Sequence, residues 1–161
     1  MEKEINKKII EIVHQANNMI PVVWDDLYIV IEVDETYSGE VFFYFKYMDE
    51  YYYSLNMPRD FKVSQNIVFE QIDTLFNLSQ ELKKIFIVNN LPNWFSCVLY
   101  INQENKLSVD FDYTPWYESD FGPTARMDFF EYKYLGKQPE NEKELEQFKA
   151  MEAFQQEHNG K

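Results

Sequence analysis

Three strand-like runs that follow one another with only short turns between them constrain the fold more than any other feature of the sequence. Residues 27–33 alternate, with Leu, Ile, Ile and Val facing one way and Tyr, Val and Glu facing the other. Residues 41–47 are apolar or aromatic on both faces except for Lys46, and residues 51–55 follow a short acidic turn. Because aromatic and β-branched residues favour sheet, the pattern predicts an antiparallel meander.

Helical spacing of apolar residues precedes and follows the meander. The spacing predicts one helix over residues 3–19 and a second that begins after the N-cap Ser64 and reaches about Val88. A β-hairpin and then two further helices are predicted over residues 94–101 and 106–113 and over residues 123–135 and 142–157. The predicted fold class is α+β: an antiparallel sheet of about five strands, a meander plus a hairpin, with N-terminal, central and C-terminal helices packed on it.

The length of 161 residues predicts a single domain over residues 1–161, with helix 142–157 packed loosely at its edge. Cys97 is the only cysteine, so no disulfide can form within the chain, and its apolar neighbours predict that it packs as a small hydrophobe.

The first residues are charged, unlike those of a signal peptide. No apolar run reaches the roughly 18 residues of a membrane span. We therefore expect a cytoplasmic protein.

The charge balance is strongly acidic and narrows the choice of partners. The chain has 28 acidic and 15 basic residues, which gives a net charge of -13 at pH 7. Because such a field repels phosphate, we expect no direct binding to nucleic acid and none to anionic membranes. The same field attracts a basic protein and raises its rate of association. The alternative interpretation is that the acidity only keeps the protein soluble.

Signatures of an active site are scarce in the sequence. It contains no Gly-rich phosphate loop, no Gly-x-Ser-x-Gly and no His-Glu-x-x-His. His14, His158 and Cys97 do not supply the ligands of a typical zinc site. The sequence therefore predicts no catalytic residue, no metal site and no cofactor, and leaves carboxylates as the abundant reactive groups.

Acidic and aromatic residues interleave from residue 110 to residue 121. Asp110 and Asp112 are two apart on a predicted strand and share a face, which leaves three interpretations: a hydrolase acid/base pair, a hard-cation site, or an acidic recognition face. Aromatic anchors within a charged rim are typical of protein interfaces, whereas the alternative is that these rings belong to the core. Trp116, which follows Pro115, is expected to be partly exposed. The predicted partner-binding residues are Asp110, Asp112, Tyr113, Trp116, Tyr117, Glu118 and Asp120.

Several short segments, taken in order, resemble a known family. They are Met19-Ile20-Pro21 with Trp24, residues 39–44, Pro92-Asn93-Trp94 with Ser96-Cys97, Phe111-Asp112-Tyr113 with Trp116, and residues 119–122 with Arg126 and Tyr132-Lys133-Tyr134. The resemblance spans nearly the whole chain, from about residue 5 to residue 157. The chain is similar to the YezG/EsaG-type immunity proteins, which are antitoxins for LXG-like polymorphic nuclease toxins exported by type VII secretion.

The resemblance implies a function that composition does not. It implies one-to-one binding to the C-terminal nuclease domain of a DNase toxin in the producing cell, either by covering the basic substrate cleft or by distorting the nuclease. The family is not defined by a catalytic residue, so the resemblance implies a protein that is not an enzyme. Two alternatives stay open: an acidic adaptor or chaperone for a basic secretion component, and a carboxylate hydrolase built on Asp110 and Asp112.

Overall fold

The computed structural model describes residues 1–159, and a five-stranded antiparallel open sheet organises the first two thirds of them. The strands, in the spatial order β3-β2-β1-β4-β5, are β1 Leu27–Val33, β2 Gly39–Tyr47, β3 Glu50–Tyr53, β4 Ser96–Ile101 and β5 Leu107–Asp112. The helices are α1 Glu2–Met19, α2 Met57–Phe61, α3 Gln65–Val88, α4 Pro123–Tyr134 and α5 Glu142–Asn159. The predicted α+β class and five-stranded sheet are confirmed.

The chain divides into two compact units, residues 1–111 and residues 112–161, of which the last two residues lie outside the described part. The first unit contains α1 to α3 and the sheet, and the second contains α4 and α5. The prediction of a single domain over residues 1–161 with a loosely packed last helix stays a prediction. No helix within residues 1–159 is long and apolar enough to cross a membrane.

The core of the first unit lies between one face of the sheet and the helices α1 and α3. Leu27, Ile29 and Ile31 of β1 have no exposed surface, and α1 and α3 contribute residues such as Ile12 and Leu82 to the same cluster. Burying each such side chain contributes roughly 1.5–3 kcal/mol. The apolar residues that alternate along the strands therefore pack against the apolar residues at helical spacing in α1 and α3, and together they form one apolar layer.

Local signals set the bounds of several elements. The Ser64 hydroxyl accepts the Ile67 N–H at 3.4 Å, which confirms the predicted N-cap of α3. Residues 57–61 form the short helix α2, in which Pro58 lies in the first turn, where proline is tolerated. Gly39 has a φ of +154°, and a Cβ there would lie 1.8 Å from the Glu32 carbonyl oxygen, so only glycine fits at the start of β2.

The second unit is held by aromatic contacts between its two helices. The Phe148 ring of α5 stacks on the Tyr132 ring of α4 with centroids 4.6 Å apart and lies 6.0 Å from the Phe129 ring. Lys133 of α4 donates to the side-chain oxygen of Gln155 at 2.7 Å. Residues 112–159 thus have their own aromatic core.

Candidate functional site

The segment after β5 is the region in which the sequence predicts a recognition face. The strand β5 ends at Asp112, and after Pro115 the residues Trp116–Glu118 form a single 3-10 turn before α4 begins. The Arg126 guanidinium of α4 donates to the Phe121 carbonyl oxygen at 2.8 Å, and the Ser119 hydroxyl donates to the carbonyl of the turn's first residue at 2.6 Å. These bonds give the segment a defined shape within the second unit.

The carboxylate of Asp112 is the hydrogen-bonding centre of this segment. Its Oδ1 accepts the backbone N–H of Thr114 at 3.0 Å and the hydroxyl of the same residue at 2.6 Å, which closes an Asx turn. Its Oδ2 accepts the Trp116 indole N–H at 2.8 Å and a Gln155 side-chain N–H at 3.2 Å. Asp112 therefore shapes the site and ties α5 to the turn.

Trp116 is buried, so the expectation that it would be partly exposed is wrong. Only 4% of its surface is accessible, and its ring lies among those of Phe121, Phe129 and Phe154, with centroids 5.4–6.1 Å away. The physical reason is that the 3-10 turn after Pro115 directs the indole inward, where the Asp112 carboxylate satisfies its N–H. A buried tryptophan usually has such a partner.

The remaining predicted site residues have exposed side chains. In the second unit Tyr113 and Tyr117 are 41% and 56% exposed, and Glu118 and Asp120 are also exposed. Asp110, in β5 of the first unit, is exposed as well. The segment thus exposes two carboxylates and two tyrosines at the surface of the second unit. Trp116 and Asp112 of the same segment are hydrogen-bonded to each other and hold its backbone in shape.

A second acidic feature of the second unit is a cavity of about 120 Å³ beside α4 and α5. Burial, and then the neighbouring carboxylates of Glu131, Glu144 and Glu140, raise the pKa of Asp128, which lines this cavity. Lys137 also lines it and forms an ion pair with Glu131 at 3.2 Å. No group of three or more His, Cys, Asp or Glu in the described chain is arranged to hold a metal ion.

Sequence reasoning missed a buried carboxylate in the first unit. Asp26 is 8% exposed, and its oxygens accept the hydroxyls of Tyr100 at 2.9 Å and Tyr51 at 3.5 Å. The Tyr28 ring stacks on Tyr100 at 4.4 Å, and burial with the nearby Asp26 raises the pKa of Tyr100 to about 12. The sequence signal for this cluster was the alternation in β1, which places Tyr28 on the face opposite to the apolar face of Leu27 and Ile29. These groups make a polar cluster on the Tyr28 face.

A buried lysine was also missed. Lys83 of α3 is 1% exposed, and its Nζ donates to the Asn93 side chain and to the Trp94 carbonyl. Burial lowers its pKa to about 8, partly offset by the carboxylates of Glu35 and Asp34. The signal was its position four residues after Ser79 on the apolar face of α3. This lysine joins α3 to the segment before β4.

Comparisons with known proteins identify the family. A family model described as "Immunity protein YezG-like" matches residues 5–149. The Type VII secretion system protein EsaG of Staphylococcus aureus is 32% identical over 155 residues, which cover 95% of this chain and 94% of that protein. Immunity protein YezG of Bacillus spizizenii is 32% identical over 130 residues, 80% of each chain, and that of Bacillus subtilis is 28% identical over 134 residues, 82% of this chain and 88% of that one. The resemblance seen in the ordered sequence segments is confirmed, and this chain belongs to the YezG-like family of immunity proteins.

Proposed function

We propose that this chain is an antitoxin that binds the C-terminal nuclease domain of a cognate secreted DNase toxin and blocks it in the cytoplasm of the producing cell. Membership in an immunity-protein family implies binding to a cognate toxin, and this observation carries the proposal. One chain binds one toxin, and inhibition follows from binding, without catalysis, metal or cofactor. The Staphylococcus aureus relative bears a type VII secretion name, which supports a toxin exported by that route.

Charge complementarity supports a nuclease as the target. A nuclease must attract a polyanion, so the rim of its substrate cleft is basic, and a protein with a net charge of -13 is drawn to the same surface. Such attraction acts mainly on the rate of association and weakens as salt is added. The acidic field thus brings the inhibitor to the part of the enzyme where DNA would bind.

The exposed residues of the predicted site make the contacts in this proposal. Asp110, Glu118 and Asp120 supply charge, and Tyr113 and Tyr117 supply rings with a polar tip, which are enriched in protein interfaces. Asp112 and Trp116, also assigned to toxin binding from the sequence, act by holding the 113–120 segment in shape.

The test is inhibition of the cognate toxin, which we expect to be encoded beside the gene for this chain. The purified chain should bind the toxin's C-terminal domain one to one by native mass spectrometry and abolish its DNase activity at equal concentration. Reversing Asp110, Glu118 and Asp120 to Lys should slow association at least about tenfold at low salt and reduce its salt dependence. Stopped-flow measurements at several salt concentrations would record both effects.

The control is a chain in which three exposed acids far from this segment in sequence, Glu2, Glu70 and Asp73, are reversed to Lys. It carries the same net charge, so a specific site predicts that it inhibits almost as well as the wild type. Unchanged inhibition by the first variant would refute the site. A wild-type chain that binds a basic secretion component but no nuclease would instead establish the adaptor function.

A further inference from the structure

The two edges of the sheet differ in how they are protected. β3, at one edge, has four residues, and Phe61 of α2 packs on its Tyr52 with ring centroids 5.0 Å apart. β5, at the other edge, has six residues, and its first four are exposed. No other strand within residues 1–159 pairs with the outer side of β5. Because an edge strand directs alternate N–H and C=O groups outward, β5 can accept a further strand.

Apolar side chains continue along one face of β5 from the core to the surface. Phe111 packs against Phe86 and Trp94, with ring centroids 5.1 Å and 5.6 Å apart. By alternation Val109 and Leu107 lie on the same face, yet they are 37% and 42% exposed. Native proteins usually shorten, charge or cover such an edge. A strand placed beside β5 would set its own apolar side chains next to these two and extend the core.

The opposite face of β5 and the turn before it are polar and acidic. Ser108 and Asp110 are exposed, and the side chain of Glu104 in the turn is 73% exposed. Lys106 is the only basic residue between residues 104 and 112 and lies 3.6 Å from Glu104. Opposite charges on facing residues of paired strands are stabilising, and like charges are destabilising. The strand that suits this face therefore carries lysine or arginine at alternate positions.

We propose that β5 is the docking edge for the toxin, and that an extended toxin segment, in which apolar residues alternate with Lys or Arg, pairs with it as a sixth strand. The inference rests on the proposed function, because the toxin is the partner. In such strand addition main-chain hydrogen bonds supply affinity and side-chain pockets supply specificity. The chain passes directly from β5 into the 113–120 segment, so the two predicted contact regions are continuous in sequence.

A second copy of the chain is the poorer occupant of the same edge. It would bring the carboxylates of Glu104 and Asp110 of one chain towards the same acids of the other. Each copy also carries a net charge of -13, so the long-range field opposes self-association. The basic, alternating toxin strand meets the same edge with the opposite sign of charge.

Amide hydrogen exchange measured residue by residue tests the proposal without altering the fold. The probe is the full chain, free and mixed with a catalytically inactive C-terminal domain of the toxin encoded beside its gene. In the free chain the outward-pointing amides of residues 107–111 should exchange fast. In the complex alternate amides of the strand should be protected at least about tenfold, because only every second residue faces a new neighbour. Binding that leaves all these amides unprotected would overturn the proposal.

Charge reversal at the two edges provides a matched pair of variants. Asp110→Lys on β5 should weaken binding of the toxin domain at least about tenfold, whereas Glu50→Lys on β3 should change it less than twofold. Equal losses in the two variants, or a dimer of the free chain that shows the same alternate protection, would refute strand addition of the toxin. If the wild-type chain does not bind or inhibit the domain, the proposed function itself fails, whereas inhibition without protection of β5 refutes only this inference.

Discussion

The two units each bury a tryptophan against a charged side chain, and they do so with opposite signs of charge. In the first unit Trp94 is fully buried, the cation of Lys83 lies 4.6 Å from its ring centroid, and its indole N–H has no hydrogen-bond partner among the described residues. In the second unit Trp116 is 4% exposed and its indole N–H donates to the carboxylate of Asp112 at 2.8 Å. Both rings pack against other aromatic rings, but only the indole N–H of Trp116 has a hydrogen-bond acceptor.

The difference shows which kind of contact supports each region. Around Trp94 the apolar contacts with Phe86 and Phe111 dominate, so volume is the property that must be kept. Around Trp116 a single carboxylate joins the indole, the Asx turn and α5, so hydrogen bonding is the property that must be kept. The segment proposed to meet the toxin therefore depends on a polar network, whereas the sheet beneath β5 depends on packing.

The largest expected effect is the loss of volume at Trp94. Trp94→Ala should lower the free energy of unfolding by about 3–5 kcal/mol, because it opens a cavity against Phe86 and Phe111. Urea unfolding followed by far-ultraviolet circular dichroism would measure it. Trp94→Phe, which keeps most of the volume and removes an unpartnered N–H, should lose clearly less. Similar losses in the two variants would contradict the view that packing dominates here.

A smaller effect is expected at the polar network of the second unit. Asp112→Ala leaves the Trp116 indole and the Thr114 groups without their acceptor, so it should destabilise the protein by about 2 kcal/mol. Asp110→Ala, two residues earlier and exposed, is the matched control and should change stability by less than about 0.5 kcal/mol. Equal stabilities of these two variants in urea would show that Asp112 is not a structural centre.

The smallest effect concerns the pH dependence produced by Lys83. Burial sets its pKa at about 8 in the folded protein against an ordinary value of 10.5, so between these values the folded state binds fewer protons than the unfolded state. Stability therefore rises with pH across that window. From pH 8 to pH 9 the wild type should gain roughly 1 kcal/mol relative to Lys83→Met. Parallel stability curves for the two proteins would show that Lys83 titrates normally.

The fold was largely predictable because its signals are local. The strand β1, the helix α3 and the Ser64 cap follow from alternation, helical spacing and one hydroxyl. Alternation also places Leu107, Val109 and Phe111 on one face of β5. It could not show that Phe111 is packed while the other two are exposed. How much of a strand's face is covered depends on where the helices that pack on it end, and the pattern of a single strand does not contain that information.

The candidate site was predictable as a segment but not residue by residue. Composition identified residues 110–120 as acidic and aromatic, yet the inward position of Trp116 depends on the carboxylate of Asp112 and on rings from α4 and α5. One donor to that carboxylate, Gln155, lies 43 residues away in sequence. Lys83 was missed for a similar reason, since its partners Asn93 and Trp94 come from another segment. Contacts of this range leave no periodic pattern in a single sequence.

The position of Cys97 makes its thiol a natural probe for the opening of the sheet. This only thiol of the chain is fully buried on β4, where it faces Ile31 of β1, and burial raises its pKa far above the ordinary range. A thiolate-selective label can therefore react only after the centre of the sheet has opened. The labelling rate therefore measures how often the sheet opens. It can be measured in a mixture with a toxin, without a fluorescent dye and without a substitution in this chain.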